Sequence, residues 1–125
     1  MQISHDNDNK LKFVRKYVSG FIVPMRLLKN HYILVMKDDV GNYLSMIYYC
    51  LDKPEGKCFI NYIHTNPDHL RKGYATMIVR EMQKQLSKIV KQFELMVLPG
   101  SNFDKLFKKC GFVFDETTRS MKLNL

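Results

Sequence analysis

The sequence predicts an α/β chain, more closely an α+β mixed sheet with helices on both faces. Its order is an antiparallel meander, a strand–helix–strand unit, then a short helix and a closing hairpin. Three observations carry this. Between residues 31 and 65, three runs rich in Tyr, Ile and Val are separated by short turns. From residue 73 the apolar period changes to three and four. After Pro99-Gly100 a short amphipathic segment ends on Gly111, and two strand-like runs follow.

Each element has a local reason. Residues 1–9 are polar and are expected to form a loose lead-in. Lys10 to Ser19 sets Leu11, Val14 and Val18 at helical spacing, and Gly20 is a stop. Phe21 to Asn30 holds no single period, and Pro24 interrupts it. Strands are expected over His31 to Met36, Tyr43 to Leu51 and Cys58 to Thr65, with turns at 38–42 and 52–56. The second and third strands are apolar enough to be covered on both faces. Gly73 to Lys91 is the clearest helix, with Ala75, Ile78, Val79, Met82, Leu86, Ile89 and Val90 recurring on one side. Phe93 to Leu98 then closes a unit that prefers parallel pairing through a right-handed crossover. Asn102 to Cys110 is expected to be helical, with Phe103, Leu106, Phe107 and Cys110 inward and Lys105, Lys108 and Lys109 outward. Gly111 caps it in the left-handed conformation. Phe112 to Phe114 and Ser120 to Leu125 make the last hairpin.

Composition bounds the function. A chain of 125 residues is one domain's worth, so residues 1–125 are expected to form a single domain. A hydrophobic fraction of 46% and a charged fraction of 26% exclude a disordered chain. Twenty Lys and Arg against twelve Asp and Glu give a net charge of +8. That balance favours a polyanionic partner: nucleic acid, an anionic membrane surface or a phosphate-rich cofactor. Cys50, Cys58 and Cys110 are odd in number and contain no Cys-x-x-Cys pair, which argues against a disulfide framework and a structural zinc site. The N-terminus carries Asp6 and Asp8 and lacks the apolar stretch of a signal peptide. No apolar run approaches the roughly 20 residues that span a bilayer. The expectation is a soluble cytoplasmic protein without membrane contact.

One segment carries chemistry: Thr65-Asn66-Pro67-Asp68-His69-Leu70-Arg71-Lys72-Gly73-Tyr74-Ala75-Thr76, between a strand and the best helix. A glycine there lets backbone approach a ligand closely. The helix beginning at that point has unpaired N–H groups and a positive dipole end. Arg71 and Lys72 add charge beside it. Together these make an anion site suited to phosphate. The Gly-Lys-Ser/Thr ending of a P-loop and the Gly-x-Gly turn of a dinucleotide fingerprint are both missing. Taken alone, the segment is equally well a turn with a solvated cap.

The run Asn61-Tyr62-Ile63-His64-Thr65-Asn66-Pro67 through Leu70-Arg71-Lys72-Gly73-Tyr74-Ala75-Thr76 resembles motif A of the GCN5-related N-acetyltransferases, the GNAT superfamily. Phe93-Glu94-Leu95-Met96-Val97-Leu98-Pro99, then Leu106-Phe107-Lys108-Lys109-Cys110-Gly111-Phe112, resembles its motif B. The likeness covers about residues 31 to 125. It implies a GNAT-like acyl-CoA N-acyltransferase fold, with acetyl-CoA or another acyl-CoA as cofactor. It further implies transfer of the acetyl group to a primary amine by direct attack in a ternary complex. The pyrophosphate would rest on the amides of Arg71, Lys72, Gly73, Tyr74, Ala75 and Thr76. The backbone of Ile63, His64 and Thr65 would hold the pantetheine and polarise the thioester carbonyl. Asn102 and Phe107 stand near the family's remaining cofactor contacts.

This sequence departs from the pattern at four positions. Leu70 stands where motif A usually begins with Gln or Arg, and Arg71 is the nearest replacement. Phe107 occupies the position of the tyrosine that often protonates the thiolate, and it lacks the hydroxyl. Phe59 occupies the position where some members carry a glutamate base. Gly100 falls on the loop asparagine's position, and Asn102 lies two residues later. His64, Glu94, Tyr62 and Cys110 are the local substitutes; each reads more readily as a packed or solvated residue, so catalytic groups are left unassigned. The acceptor is undefined, a protein or a small molecule. The basic residues at 10–30 argue against a polyamine or polybasic peptide and suit an acidic protein surface or an acceptor attached to nucleic acid; the preferred reading is that they only keep a small protein in solution. Two rival readings stay open: an acyl-CoA binder with weakened catalysis, and a small basic nucleic-acid-binding module. The second is disfavoured, because neither basic cluster, 12–16 or 105–109, shows aromatic stacking interleaved on a strand surface, as a single-strand binder would. Monomer and homodimer are both open.

Overall fold

The computed structural model describes residues 1–5, 29–96 and 102–125. Among these, β1 (Gln2–His5), β2 (His31–Lys37), β3 (Tyr43–Asp52), β4 (Lys57–Thr65), α1 (Tyr74–Leu86), β5 (Gln92–Leu95), α2 (Asn102–Lys109), β6 (Val113–Asp115) and β7 (Ser120–Asn124) follow in order. A single 3-10 turn, Pro67–His69, lies between β4 and α1. The strands form one sheet in the order β1-β2-β3-β4-β5-β7-β6. The meander of β2, β3 and β4 is antiparallel as expected, and β4 pairs with β5 in parallel. This is the mixed sheet that the resemblance implies.

The lead-in expected at residues 1–9 needs correction at its start. Gln2–His5 is an edge strand, with Ile3 opposite Met36 on β2. Its four residues are too short to show a period of their own, and the neighbouring strand supplies their hydrogen bonds. The helix expected over Lys10 to Ser19 lies outside the described residues, as does the break at Pro99-Gly100.

The core is one cluster on one face of the sheet. Leu34, Ile47, Ile60 and Phe93 meet Ile78, Val79 and Met82 of α1 and Phe107 of α2 there. Gln83 Nε2 donates to the Cys110 carbonyl at 3.0 Å, tying α1 to the end of α2. Both described helices therefore share a face. Ile33, Val35 and Met46 alternate with that set, and all three are buried on the opposite face. β3 is thus covered on both sides, as its sequence predicts. β4 is not: Cys58, Ile60 and Ile63 are buried, whereas Asn61 is exposed and Phe59, Tyr62 and His64 are half-buried. Apolar composition concealed this because Phe59 and Tyr62 read as core residues.

The long helix is also shorter than its periodicity. It ends at Leu86, and Ile89 is 59% exposed. The N–H of Lys91 donates to the Gly56 carbonyl at 2.7 Å and that of Gln92 to the same oxygen at 3.3 Å. Those bonds take the backbone out of the helix and start β5 beside β4. Gly111 caps α2 as expected, at φ +97°.

Truncating Phe93, which is fully buried where β5 meets both helices, removes contacts from every layer. Phe93→Ala is expected to cost about 3–5 kcal/mol in urea unfolding. Val113→Ala, on a 69% exposed side chain, should stay within about 0.5 kcal/mol.

Candidate active site

β4 and β5 pair only at Lys57–Gln92, Cys58–Phe93 and Phe59–Glu94. The opposite edge of each strand is paired along the same residues and further. β4 follows β3 as far as Thr65, and β5 follows β7, with Leu95 opposite Met121. The β3–β4 register shifts between Tyr48–Tyr62 and Tyr49–Ile60, which leaves Asn61 as a bulge. The strands separate from that point. The gap holds a cavity of about 340 Å³ lined by Ile60, Asn61, Tyr62, Ile63, Leu95, Met96, Phe103 and Phe107. Phe107 is fully buried, while Met96 is 70% and Phe103 46% exposed. Phe103 was expected to face inward; instead it borders the cleft.

The chain leaves the top of β4 through Asn66. Its Nδ2 donates to the Tyr43 carbonyl at 2.9 Å, and its Oδ1 accepts the Asp68 N–H at 3.0 Å. Its own N–H donates to the Leu44 carbonyl at 2.8 Å. The 3-10 turn follows, then Arg71 at φ +63° and Gly73 at φ +81°. Left-handed backbone at a non-glycine residue costs about 1–2 kcal/mol and points to a shaped loop. A Cβ on Gly73 would meet nothing within 4 Å, so the glycine serves conformation and leaves open space above the helix start. No side chain caps α1, and its first turn carries no acidic residue. The amides of Tyr74, Ala75 and Thr76 lie in that first turn, where the helix has no partners for them. Arg71 and Lys72 are exposed beside it. Uncapped amides, a positive dipole end and two cations suit a phosphate group.

The ionisable groups near the cleft sort by their partners. His64 Nδ1 lies 2.7 Å from the Tyr43 hydroxyl, and the two rings stack at 5.8 Å. The His64 carbonyl accepts from Ser45 Oγ at 2.9 Å. Burial pushes the His64 imidazole below its ordinary value and the Tyr43 phenol far above its own, so both are neutral near pH 7. Tyr62 stacks on His64 at 6.4 Å. Glu94 is not the solvated strand residue its sequence allowed. Its side chain is 12% exposed, accepts from Ser120 Oγ at 2.6 Å and lies 3.9 Å from Lys122 Nζ. Cys110 is half-buried, and burial raises its thiol.

The structure thus sets Ile63, His64 and Thr65 on the open stretch of β4, and Arg71, Lys72, Gly73, Tyr74, Ala75 and Thr76 around the start of α1. Phe107 lines the cavity, and Asn102 is the exposed first residue of α2. Sequence reasoning missed Asn61, Met96 and the part played by Asn66. An Asn-Pro turn signal marked Asn66; nothing local marked the bulge.

A family model described as FR47-like protein matches residues 39–120, about two thirds of the chain. The chain belongs to the FR47-like family of the GNAT superfamily. No curated protein matches it in sequence. Among solved structures, it is similar to the ribosomal-protein-S18-alanine N-acetyltransferase from Escherichia coli at 15% identity and a TM-score of 0.79, covering 98% of this chain and 92% of that one. A chimera of the spermidine N-acetyltransferase SpeG from Vibrio cholerae and hSSAT gives 13% identity and a TM-score of 0.78, covering 99% and 96%. Tetrahymena GCN5 gives 14% identity and a TM-score of 0.67, covering 91% and 75%. No helix among the described residues is long and apolar enough to cross a membrane.

The two depressed histidines, His64 and His5, set a pH response. Each is neutral in the fold and has an unfolded value near 6.5. The unfolded chain binds protons first on acidification, so this contribution is present above that value and is lost as pH falls through and below it. The midpoint of urea unfolding should fall from about pH 8 to about pH 5. His64→Gln, which still offers Tyr43 a hydrogen-bond partner, should make that fall shallower.

Proposed function

We propose that this chain transfers an acetyl group from acetyl-CoA to a primary amine by direct attack in a ternary complex. One observation carries the reading: β4 runs past its last pairing with β5 at Phe59 to Thr65, and the loop that follows leads into the uncapped start of α1. An elongated ligand with an anionic end fits that path. The amides from Arg71 to Thr76 are suited to its pyrophosphate. The edge of β4 at Ile63, His64 and Thr65 is suited to the amides of its pantetheine arm, which would take the place of a strand. A thioester in the cavity would find an apolar surround at Ile60, Leu95 and Phe107. There a backbone N–H of β4 aimed at the carbonyl oxygen stabilises the charge of the tetrahedral stage better than water does. The amine must arrive neutral, because only its lone pair attacks.

Phe59 and Phe107 support a second reading, acyl-CoA binding with little turnover. Acetyl transfer is preferred because loss of one proton-transfer group costs typically about 10²–10⁴-fold and leaves the remaining stabilisation in place. The relatives in hand act, by name, on spermidine and on an alanine of a ribosomal protein. A net charge of +8 opposes a polycationic acceptor and favours an amine on an acidic or nucleic-acid-bound protein. The reading treats the chain as one domain working in the cytoplasm.

Thermal unfolding with acetyl-CoA, and with ATP as a phosphate control, tests the site. At about a hundred times the dissociation constant, the ligand should add about 2.7 kcal/mol. Stabilisation by acetyl-CoA and not by ATP is expected. Equal stabilisation by both reduces the site to a phosphate cradle, and none by either removes both acyl-CoA readings.

A further inference from the structure

We propose that the outward faces of α1 and α2 form a docking surface for the phosphate backbone of duplex nucleic acid. The surface lies outside the cleft and stands whether or not acetyl transfer does. Its use, presenting a nucleic-acid-bound acceptor to the cleft, rests on that reading.

The net charge is not spread evenly. Residues 74–91 and 102–111, the two helices with the turns that end them, hold seven Lys and Arg against two acids. The other described residues hold eight against eight. Arg80, Lys84 and Lys88 follow one another at four-residue steps, and all three are exposed. Lys105, Lys108 and Lys109 are exposed on α2. Of the two acids, Asp104 is buried and pairs with Lys108 at 3.2 Å. Glu81 is half-buried and accepts from Gln85 Nε2 at 3.2 Å. The two rows meet. The Arg80 guanidinium donates to the Cys110 sulfur, and Gln83 Nε2 donates to the Cys110 carbonyl at 3.0 Å, so the middle of α1 lies against the end of α2.

A solvated helix face usually mixes acids with bases, and like charges four residues apart repel at some cost to the helix. The helix dipole accounts for a cation in each last turn. It does not account for Arg80 or Lys105 further back, nor for the scarcity of acids.

The chemistry favours phosphates over other polyanions. Lysine is depleted from protein–protein interfaces, where aromatic residues and Arg are enriched. Five of the six exposed cations here are Lys. Phe103 is the exposed aromatic of the two helices, and it borders the cleft. Bases therefore find nothing to stack on, and the fit is to the backbone. Four residues of helix rise about 6 Å, and a duplex carries one charge per roughly 1.7 Å of axis, so each step along the α1 row finds a phosphate within reach. α2 is shared: Phe107 lines the cavity while Lys105, Lys108 and Lys109 are exposed. A docked duplex lies about one helix width, roughly 10 Å, from the cleft.

Fluorescence anisotropy of labelled DNA and RNA duplexes of mixed sequence tests the surface. Between about 50 and 200 mM salt the affinity should fall about 100- to 500-fold, the loss expected for four or five phosphate contacts. The triple variant Lys84→Gln, Lys88→Gln, Lys105→Gln should make the logarithmic salt slope shallower by about 3. Lys10→Gln, Lys12→Gln, Lys16→Gln removes the same charge from the other basic run and should leave the slope nearly unchanged. Three results overturn the proposal: no binding to either duplex at low salt, a loss that follows the second triple rather than the first, or tighter binding to polyglutamate or phosphatidylserine vesicles than to a duplex. Should the first triple variant fail to fold, Lys105→Gln alone must still lower the slope by about 1, and an unchanged slope overturns the surface. Acetyl-CoA should stabilise the wild type and the first triple variant equally. No stabilisation in either removes acetyl transfer and leaves the surface standing, whereas loss in the variant alone puts these lysines in the cofactor site and overturns the surface.

Discussion

The early parting of β4 and β5 is the constraint on which the rest of the molecule depends. Three residues of each strand pair, and among the described residues β5 ends at Leu95 while β4 runs on to Thr65. β4 is held by β3 as far as Thr65. β5 is drawn to β7, with Gln92 and Leu95 opposite Asn124 and Met121. Among the described residues, no strand pairs with the β5-facing edge of β4 past Phe59, in the middle of the sheet. Backbone groups on such an edge demand satisfaction, by water or by something that can imitate a strand. A short parallel contact followed by divergence therefore leaves backbone groups able to receive a strand-like ligand, largely independent of side chains. The two bonds to the Gly56 carbonyl matter for the same reason: they start β5 against β4 and confine the contact to its lower end.

The electrostatics follow from where the strand delivers the chain. Asn66 holds the top of β4 through bonds to Tyr43, Leu44 and Asp68, so the turn to α1 begins from a fixed point. Two left-handed residues then aim the loop, and α1 begins without a capping side chain or an acidic first turn. Most helices satisfy those positions with a capping side chain or water. Here they remain open next to Arg71 and Lys72, at one end of the gap that β5 leaves. Backbone dipoles and side-chain charges act together, and neither alone would distinguish an anion site from a solvated cap.

Much of this was legible in the sequence, and the limits have physical causes. Hydrophobic period identified the meander, α1 and α2, because alternation and three-to-four spacing are set by side chains. Gly73 and Gly111 were legible because both adopt positive φ, which few other residues accept. The end of α1 was not, since Ile89 and Val90 continue a helical pattern while the backbone of Lys91 and Gln92 is captured by Gly56. β1 was hidden because its partners lie 29 to 35 residues away, from His5–Leu34 to Gln2–Lys37, and long-range pairing leaves no local trace. The exposure of Phe103 and the half-burial of Tyr62 reflect the cleft, whose shape comes from strand partnering rather than residue type. Glu94 illustrates the reverse: a charged strand residue reads as solvated until Ser120 and Lys122 are brought beside it.

The central claim is that one ligand spans the strand gap and the start of α1. Backbone amide shifts of labelled protein titrated with acetyl-CoA test it most directly. The account predicts a contiguous response over Tyr62 to Thr65 and Arg71 to Thr76, with the phosphate-bearing portion of the ligand alone moving only the second group. Shifts confined to the loop and α1, or centred on a different face of the sheet, would contradict it.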